Sequence, residues 1–350
     1  MAENQNAAEQ ASTLNDERAT RLAKRAALFE AGQNPYPEHS EIEDYVADIE
    51  AKYADLADGE DTEDVVKIGG RVVAKRGQGK IMFIVVRDAT AEIQLFCRIN
   101  DMDEAAWNTL KALDLGDILG VTGVVVRTQR GQLSVAPKSA TLLSKAVRPL
   151  PEKFHGLSDK ETRYRQRYVD LIANDDVRET FRKRSQILST FRRFMESDGY
   201  MEVETPILQT IQGGATAKPF ITHFNALELH LKRCIVGGFE RVFEIGRIFR
   251  NEGMDLTHNP EFTTMEAYRA FSDLEGMKAL AQGVIKAANK AIGNPEVIEY
   301  QGQTIDLSGE WASRPMTDIV SDVLGKKVTI DTPAEELAAA AREKGLEIKP

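Results

Sequence analysis

Short apolar runs dominate residues 65–143, and polar or glycine-containing turns separate them. The runs are rich in valine and isoleucine, whose β-branched side chains favour extended backbone. One stretch with helical spacing, residues 103–113, falls between the third and the fourth of five such runs. Five strands with a helix in that position is the order of an OB-fold barrel, a fold that commonly binds oligonucleotides. We therefore predict an OB-fold β-barrel over residues 65–144.

The residues before the barrel have helical spacing. Residues 14–31 fit an amphipathic helix, and Gly32 is a suitable C-terminal stop. Four basic side chains fall on one face of this helix: Arg18, Arg21, Lys24 and Arg25. We favour a solvated face, and the alternative is a stripe that contacts a phosphate backbone. Residues 41–56 fit a second, acidic helix, so we predict a helical extension over residues 1–64.

After the barrel, helices and strands are mixed. Residues 145–176 are predicted to form a linker and a hinge helix. Residues 178–197 fit a strong amphipathic helix, which leads into a strand that reaches Pro206. Residues 243–269 fit two strands around a loop. We therefore predict an α+β multidomain chain, with residues 177–350 as the domain that follows the linker.

Composition and charge narrow the classes of function. The formal net charge of −10 argues against a protein that coats nucleic acid non-specifically, although a local basic face can still bind a polyanion. No apolar run is long enough to cross a membrane, and the first residues lack the pattern of a signal peptide. The two cysteines, Cys97 and Cys234, lie in apolar settings, so we expect buried free thiols and a cytoplasmic protein. No Cys/His cluster indicates zinc, and both the GxGxxG and the P-loop patterns are absent.

The candidate chemistry lies in a predicted hairpin, FEIGRIFRNEGMDLTHNPEFTTMEAYRAF. Arg250 and Glu252 share one face of the first strand, and Phe262, Glu266 and Tyr268 share one face of the second. Arginine suits a phosphate through paired charge-assisted bonds, and a flat ring offers a stacking surface for a base. Glu266 beside the Tyr268 hydroxyl can hold a ligand ammonium. An ordinary amphipathic hairpin with surface ion pairs explains the same pattern, and both interpretations stay open at this point.

Several strings in and around this hairpin resemble one family. GYMEVETPIL, after the long helix, resembles motif 1 of the class II aminoacyl-tRNA synthetases, with its proline at Pro206, and FRNEGMDLTHNPEF is similar to their motif 2. Within that class, RPLPEKFHGLSDKETRYRQRYVDLI, GGATAKPFITHFNAL, GGFERVFEIGR and THNPEFTTMEAY resemble the bacterial-type lysyl-tRNA synthetases. The likeness runs from about residue 15 to the end of the chain. It implies an anticodon-binding barrel followed by a class II antiparallel sheet that is flanked by helices.

The resemblance implies an ATP site on the hairpin. Arg250 matches the arginine that contacts the α-phosphate, and Phe262 matches the ring that stacks on adenine. Glu252 and His258 match positions around the adenine and the triphosphate, and Asn259 matches a position at the nucleotide. Arg250 and Glu252 are the implied catalytic residues.

The resemblance also implies sites for lysine and for the anticodon. Glu266 and Tyr268 match the pair that recognises the lysine ε-ammonium. Two further residues match positions at the α-amino group of lysine: Gly214 and Glu228. Two barrel residues match those that stack on and hydrogen-bond to anticodon bases: Phe83 and Gln94. The alternative for Phe83 is a core ring, and the alternative for Gln94 is an ordinary exposed strand residue.

The implied activity is that of a lysine–tRNA ligase. ATP activates L-lysine to lysyl-adenylate, and the lysyl group then passes to the 3′ end of tRNA(Lys). Mg²⁺ is the implied metal, and the family's ligands for it fall beyond Pro350, so no residue of this chain is assigned to the metal. A homodimer that forms through motif 1 is also implied.

Two departures from the family pattern limit these implications. Leu227 runs directly into Glu228, where the family has roughly ten more residues, about one strand and a turn. The chain also ends at Pro350 without a motif 3. We therefore expect a C-terminally truncated chain with an internal deletion, an incomplete sheet and poor activity. The alternative is a non-catalytic tRNA-binding or regulatory relative, or a degenerate fragment of a synthetase.

Overall fold

The structure is a computed structural model that describes residues 2–77, 79–150, 157–207, 228–251, 253–255 and 257–346, without the side chains of residues 2–13 and of Glu228. Its contacts divide the chain into two units, Met1–Asp175 and Asp176–Pro350. Each unit has a hydrophobic core of its own.

Two helices precede the barrel in the first unit: α1 (Ala2–Glu30) and α2 (Val46–Lys52). The predicted helix over residues 41–56 is therefore too long at both ends. The backbone N–H of Asp44 donates to the carbonyl oxygen of Lys67 at 3.0 Å, so this segment bonds to the barrel instead of forming a helical turn. α2 starts where the N–H of Val46 donates to the Asp88 carboxylate at 2.8 Å.

The basic side chains of α1 do not all face solvent. Arg21 is buried, and its Nη1 donates to the carbonyl oxygens of Leu115 at 2.8 Å and Arg148 at 3.3 Å. Lys24 Nζ lies 2.5 Å from Asp114 Oδ1. A solvated basic face is therefore the wrong interpretation for Arg21 and Lys24, because both side chains hold α1 against the rest of the first unit.

The barrel has the elements that the apolar runs predict: β1 (Asp61–Arg76), β2 (Ile81–Arg87), β3 (Glu92–Arg98), α3 (Glu104–Ala112), β4 (Ile118–Arg127) and β5 (Leu133–Ser144). The strands close in the order β1-β2-β3-β5-β4. Neighbouring strands are antiparallel except β3 and β5, whose parallel pairing sets Gln94 beside Ser134. The predicted OB-fold barrel, with its helix between the third and fourth strands, is confirmed.

Alternation along the strands fills the barrel with apolar side chains. On β2, Met82, Ile84 and Val86 are buried, and the side chains between them are at least partly exposed. α3 adds Trp107 and Leu110 to the same core. Burial of a side chain of this size contributes about 1.5–3 kcal/mol to stability. The valine and isoleucine runs therefore favour strands and also stabilise the closed barrel.

Two short helices, α4 (Lys160–Arg165) and α5 (Arg167–Ala173), end the first unit. They pack around the fully buried carboxylate of Asp170. Asp170 accepts hydrogen bonds from Arg163 Nε at 2.8 Å and from Asn174 Nδ2 at 2.7 Å, and a further one from Arg167. These donors compensate a charge that would be strongly destabilising if it were buried alone.

The second unit contains ten elements among its described residues: α6 (Asp175–Ser197), β6 (Met201–Glu202), α7 (Glu228–Val236), β7 (Arg241–Phe249), β8 (Glu261–Arg269), α8 (Leu274–Ala291), β9 (Val297–Tyr300), β10 (Gln303–Asp306), α9 (Met316–Leu324) and α10 (Ala334–Glu343). One sheet has the order β6-β7-β8, with β6 parallel to β7 and β7 antiparallel to β8. β9 and β10 form a separate hairpin. None of the helices described in either unit is long and apolar enough to cross a membrane.

The strand predicted to reach Pro206 is shorter than expected, since β6 ends at Glu202. The backbone N–H of Thr205 donates to the Glu244 carboxylate at 3.2 Å, and the Thr205 hydroxyl donates to the same carboxylate at 2.8 Å. A side chain thus takes the place of a strand partner, and proline has no N–H with which to continue a ladder.

The core of the second unit lies between its sheet and two helices. Four side chains are buried there together: Met195, Tyr200, Phe243 and Leu280. α8 approaches α6 closely, because a Cβ added to Gly283 would lie 2.7 Å from the ring of Phe194. Gly199 ends α6 with a φ of +78°, a conformation that glycine adopts at little cost.

The two free cysteines differ in burial. Cys97 on β3 is buried in the barrel, as expected, and burial raises the pKa of its thiol to about 12. Cys234 is only partly buried, so the expectation of a second buried thiol is wrong. It lies near the end of α7, where Val236 is 89% exposed.

Candidate functional site

A pair of aromatic rings forms the centre of the first candidate site, on the outer face of the barrel. Phe83 on β2 lies opposite Phe96 on β3, with ring centroids 5.3 Å apart and an angle of 8° between the ring planes. The alternation that buries Met82 and Ile84 turns Phe83 outward and leaves it partly exposed. The interpretation of Phe83 as a core ring is therefore excluded.

Two guanidinium groups flank these rings. Arg76 lies 5.9 Å from the centroid of Phe83, and Arg98 lies 4.9 Å from the centroid of Phe96. Nucleic-acid bases that are not paired stack on aromatic rings and on guanidinium planes. The row of two rings and two cations is therefore suited to unpaired bases. Phe96 and Arg98 were not among the residues predicted from the sequence, although their alternation with Cys97 could have placed them outside.

Gln94 lies beside the rings and is nearly buried, with 7% of its surface exposed. Its Nε2 donates to Ser134 Oγ at 3.0 Å, and its Oε1 accepts from Arg76 Nη2 at 3.3 Å. The interpretation of Gln94 as an ordinary exposed strand residue is therefore wrong, because closure of the barrel brings Ser134 of β5 over it.

The rings and Gln94 line an open cleft of about 900 Å³. Four arginines line the same cleft: Arg76, Arg98, Arg127 and Arg130. Asp61 is the one acidic side chain among the described residues that line it. The cleft is thus locally basic in a chain whose net charge is −10, as a polyanion-binding surface on an acidic protein must be.

The second candidate site lies on the hairpin of β7 and β8. One face of the hairpin packs on the core of its unit through Phe243 and Met265. On β8, Phe262, Glu266 and Tyr268 alternate with that core face, so they share the other face. The register places Glu244 of β7 directly opposite Glu266.

Glu244 was not among the site residues predicted from the sequence. The alternation of the first predicted strand, which places it on the same face as Arg250, could have indicated it. Two carboxylates directly opposite each other repel, and a bound cation relieves that repulsion. Glu244 also accepts both hydrogen bonds from Thr205, which ties the residues after β6 to this face. Glu244 and Glu266 therefore form an acidic patch on this face of the hairpin.

Arg250 and Phe262 lie together at the loop end of the hairpin. β7 ends at Phe249, so Arg250 follows the strand, in contrast to its predicted place within it. Its backbone N–H donates to the carbonyl oxygen of Pro260 at 2.9 Å, and its guanidinium lies 5.3 Å from the centroid of the Phe262 ring. A guanidinium group, which suits a phosphate, and a flat ring, which suits a base, are thus adjacent.

The loop between the strands is organised by one carboxylate. Asp255 accepts from the backbone N–H groups of Thr257 and His258, both at 2.7 Å, and lies 2.8 Å from His258 Nδ1. These hydrogen bonds, of which the one from the Thr257 N–H has the largest effect, hold the pKa of the Asp255 carboxyl well below its usual range. The His258 Nε2 is the ring nitrogen that this contact leaves for a ligand. Asn259 Nδ2 donates to the carbonyl oxygen of Glu261 at 2.6 Å, which fixes the end of the loop.

The structure thus brings Arg250, Phe262, Glu266 and Tyr268 onto one hairpin, with His258 and Asn259 in its loop. Three predicted residues lie outside this description: Glu252, Gly214 and the side chain of Glu228, whose backbone begins α7.

Two segments of the chain match known protein families. Residues 66–143 match the family model of the OB-fold nucleic acid binding domain, and residues 159–345 match that of the class II tRNA synthetases (D, K and N). The fold and the two sites therefore define a class II tRNA synthetase with an OB-fold module.

Proteins of similar sequence identify the family within this class. The chain is 46% identical to the lysine–tRNA ligase of Nostoc punctiforme over 349 residues, which cover 95% of the chain and 62% of that relative. It is 45% identical to the lysine–tRNA ligase of Streptococcus agalactiae over 348 residues, which cover 96% of the chain and 70% of the relative. The chain thus spans less than two thirds of the length of the Nostoc relative. It belongs to the lysine–tRNA ligase family of the class II tRNA synthetases.

Proposed function

We propose that the protein acts as a lysine–tRNA ligase, which activates L-lysine with ATP and transfers it to the 3′ end of tRNA(Lys). One observation carries the proposal: a phosphate-binding group, a stacking ring and an acidic patch lie in sequence along one hairpin face. Phe262 and Glu266 are four residues apart on β8, about 13 Å at the rise of an extended strand. An elongated aminoacyl-adenylate can bridge that distance, with its base at one end and its ammonium at the other.

In the proposed first step, a carboxylate oxygen of lysine attacks the α-phosphorus of ATP. The bond from that phosphorus to the oxygen bridging to the β-phosphate breaks, and pyrophosphate leaves with the bond's electron pair. Arg250 compensates the charge that develops at the α-phosphate, while Phe262 stacks on the adenine. Glu252, His258 and Asn259 complete the ATP site. The protein thus contributes position and charge, and forms no covalent bond to the substrate.

The proposed lysine site occupies the acidic patch. Glu266 and the Tyr268 hydroxyl bind the ε-ammonium, and the Glu244 carboxylate opposite Glu266 adds to the negative potential there. Gly214 and Glu228 are assigned to the α-amino group on the resemblance alone.

In the proposed second step, a ribose hydroxyl at the 3′ end of tRNA(Lys) attacks the carbonyl carbon of lysyl-adenylate, and AMP leaves. The barrel binds the anticodon, with Phe83 stacked on one base and Gln94 hydrogen-bonded to a base. The basic lining of the cleft supports this assignment. We further propose a cytoplasmic homodimer that forms through α6, on which Phe181 is 45% exposed.

Mg²⁺ is proposed to reach the site bound to the phosphates of ATP. Among the residues that the structure describes, no three His, Cys, Asp or Glu side chains converge in a way that could hold a metal ion. The described residues therefore form no magnesium site among themselves, and the steps above assign no role to a protein-bound metal.

Lysine-dependent exchange of pyrophosphate into ATP tests the proposal. We expect the purified chain to catalyse exchange that depends on lysine. Arg250→Ala should lower that exchange by a factor of about 100–1,000, by analogy with the loss of one oxyanion donor. Arg247→Ala, which changes an arginine that is exposed on β7, is the matched control and should have little effect.

Vigorous exchange would overturn the expectation of poor activity and leave the ligase proposal standing. No exchange with any amino acid, together with retained binding of the tRNA anticodon arm, would favour the alternative of a non-catalytic tRNA-binding relative.

A further inference from the structure

The segment that follows β6 bonds to one side chain of the hairpin. The backbone N–H of Thr205 donates to Glu244 Oε1 at 3.2 Å, and the Thr205 hydroxyl donates to Glu244 Oε2 at 2.8 Å. One residue thus holds both oxygens of one carboxylate. Thr205 follows β6, which pairs with β7 on the side away from β8. Glu244 is therefore anchored from outside the hairpin that carries it.

The register of the hairpin determines what lies beside the anchored carboxylate. Glu244 is directly opposite Glu266, and its neighbours Phe243 and Ile245 pack on the core of the unit. Glu244 therefore projects from the same face as Glu266 and Tyr268. The Cβ atoms of directly opposite residues are about 4.5–5.5 Å apart, and diagonal neighbours are about 7–8 Å apart. The three polar side chains can therefore contact one small ligand group together.

The hydrogen bonds from Thr205 do not use up the acceptor positions of Glu244. A carboxylate has about four lone-pair positions, two on each oxygen. Thr205 occupies one position on each oxygen, so each oxygen retains another for a further donor. An anchored side chain also loses less conformational freedom when it binds a ligand. Glu244 is thus an acceptor that is held in place before a ligand arrives.

We propose that Glu244 is a third acceptor for the ε-ammonium of lysine, and that Thr205 is the positioning residue that holds it for this role. The inference rests on the proposed function of this face as the lysine site. An ammonium has three N–H donors and no acceptor. Glu266 and the Tyr268 hydroxyl receive two of the donors, and Glu244 receives the third. Every donor of the bound ammonium then has a partner from the protein.

The third acceptor affects which amino acids the site prefers. Norleucine has the four carbons of the lysine side chain and no ammonium group, so it fills the same space but donates no hydrogen bond at its end. Two carboxylates directly opposite each other repel, and an ammonium relieves that repulsion whereas an alkyl chain does not. Loss of Glu244 should therefore weaken the binding of lysine and leave that of norleucine unchanged. A residue that only stabilised the fold would affect both ligands alike.

The test compares the lysyl and norleucyl sulfamoyl analogues of the adenylate by isothermal titration on the full chain. Thr205→Val keeps the shape of the side chain and removes the hydroxyl. We expect it to lower the ratio of the two affinities about tenfold through weaker lysyl binding alone, as loss of a hydrogen bond to a charged group does. Thr205→Ser keeps the hydroxyl and should retain the ratio. The matched control is Thr263→Val, which removes a hydroxyl that accepts from Arg184 Nη2 at 3.0 Å on the opposite face of β8.

A double-mutant cycle shows whether Thr205 acts through Glu244. Glu244→Gln removes the charge and should itself lower the ratio at least about tenfold. If Thr205 only holds that carboxylate, adding Thr205→Val to Glu244→Gln should change the ratio little further, since contacting residues in one network are not additive. Fully additive losses would overturn the positioning role.

The outcomes separate this inference from the proposed function. If Thr205→Val leaves the ratio unchanged or weakens both analogues equally, while Glu266→Gln still lowers the ratio, the inference is overturned and the lysine site stands. If the unsubstituted chain binds both analogues equally, the lysine site itself is wrong and the inference falls with it. Should Thr205→Val fail to fold, Glu244→Gln decides alone, and an unchanged ratio in that variant overturns the inference.

Discussion

The candidate sites of the two units lie on sheets that differ in how completely their strands are paired. Every barrel strand pairs on both sides, and the rings that line the cleft project from strands whose opposite faces are buried. In the second unit, β8 pairs only with β7 among the described residues. Phe271 is 94% exposed and Val236 is 89% exposed there.

The two candidate sites therefore differ in how far their geometry depends on the rest of the protein. The barrel site is made almost entirely of side chains on paired strands, which hold their geometry without a ligand. The hairpin site combines strand residues with a loop, and it includes residues beyond the described part of the chain. We therefore expect the barrel to be the more stable unit and the one whose binding depends least on the rest of the protein.

The largest expected difference lies in the reactivity of the two cysteines. Cys97 is buried in the barrel with a thiol pKa of about 12, so at pH 8 it is almost entirely protonated and inaccessible. The thiolate is the reactive form, and Cys234 is partly exposed. Alkylation followed by mass spectrometry should label Cys234 at least about 1,000-fold faster, because Cys97 reacts only when the barrel opens. Equal labelling rates would contradict the burial of Cys97 in a stable barrel.

The next largest effect is expected from a substitution in the core of the barrel, which should lower its stability. Ile84→Ala removes a fully buried side chain and should lower the free energy of unfolding of the barrel by about 2–5 kcal/mol. Ile81→Ala, at a 45% exposed position on the same strand, is the matched control and should cost less than about 1 kcal/mol.

The two tryptophans allow this measurement in one unit at a time. Trp107 lies in the barrel core and Trp311 lies in the second unit, so urea unfolding followed in a Trp311→Phe background reports on the barrel alone. Similar losses for Ile84→Ala and Ile81→Ala would contradict the described core.

A smaller effect is expected at the outer face of the barrel. Phe83→Ala should weaken binding of the tRNA(Lys) anticodon arm by about 1–3 kcal/mol, the usual contribution of one stacked base. Phe271→Ala removes a ring that is almost fully exposed in the second unit and should leave this binding unchanged. Fluorescence anisotropy with a labelled RNA hairpin measures both. Loss of binding in the Phe271 variant alone would move the anticodon site away from the barrel.

The barrel could be predicted well from the sequence, because the alternation of apolar and polar residues that indicates each strand is a local pattern. The helix over residues 41–56 was overestimated, because the hydrogen bonds that Asp44 and Val46 make to distant residues compete with local helical preference. The burial of Arg21 was also missed, because its partners are carbonyl oxygens that only the folded chain brings near.

The same limit applies to the sites. Alternation sufficed to place Phe262, Glu266 and Tyr268 on one face. The sequence could not show that Glu244 lies opposite Glu266, since that depends on the register of the hairpin. Nor could it show that Ser134 contacts Gln94, because barrel closure joins residues from strands that are far apart in sequence.

We propose above that the hairpin face of β7 and β8 binds lysyl-adenylate. Isothermal titration with a non-hydrolysable sulfamoyl analogue of lysyl-adenylate tests it directly and requires no turnover. We predict that the lysyl analogue binds more tightly than the alanyl analogue, and that Glu266→Gln reduces this preference by about 1.5–3 kcal/mol, the contribution of a hydrogen bond to a charged group. Glu240→Gln, at an exposed glutamate just before β7, should leave it unchanged. Equal binding of the two analogues, or a preference that survives Glu266→Gln, would contradict the account.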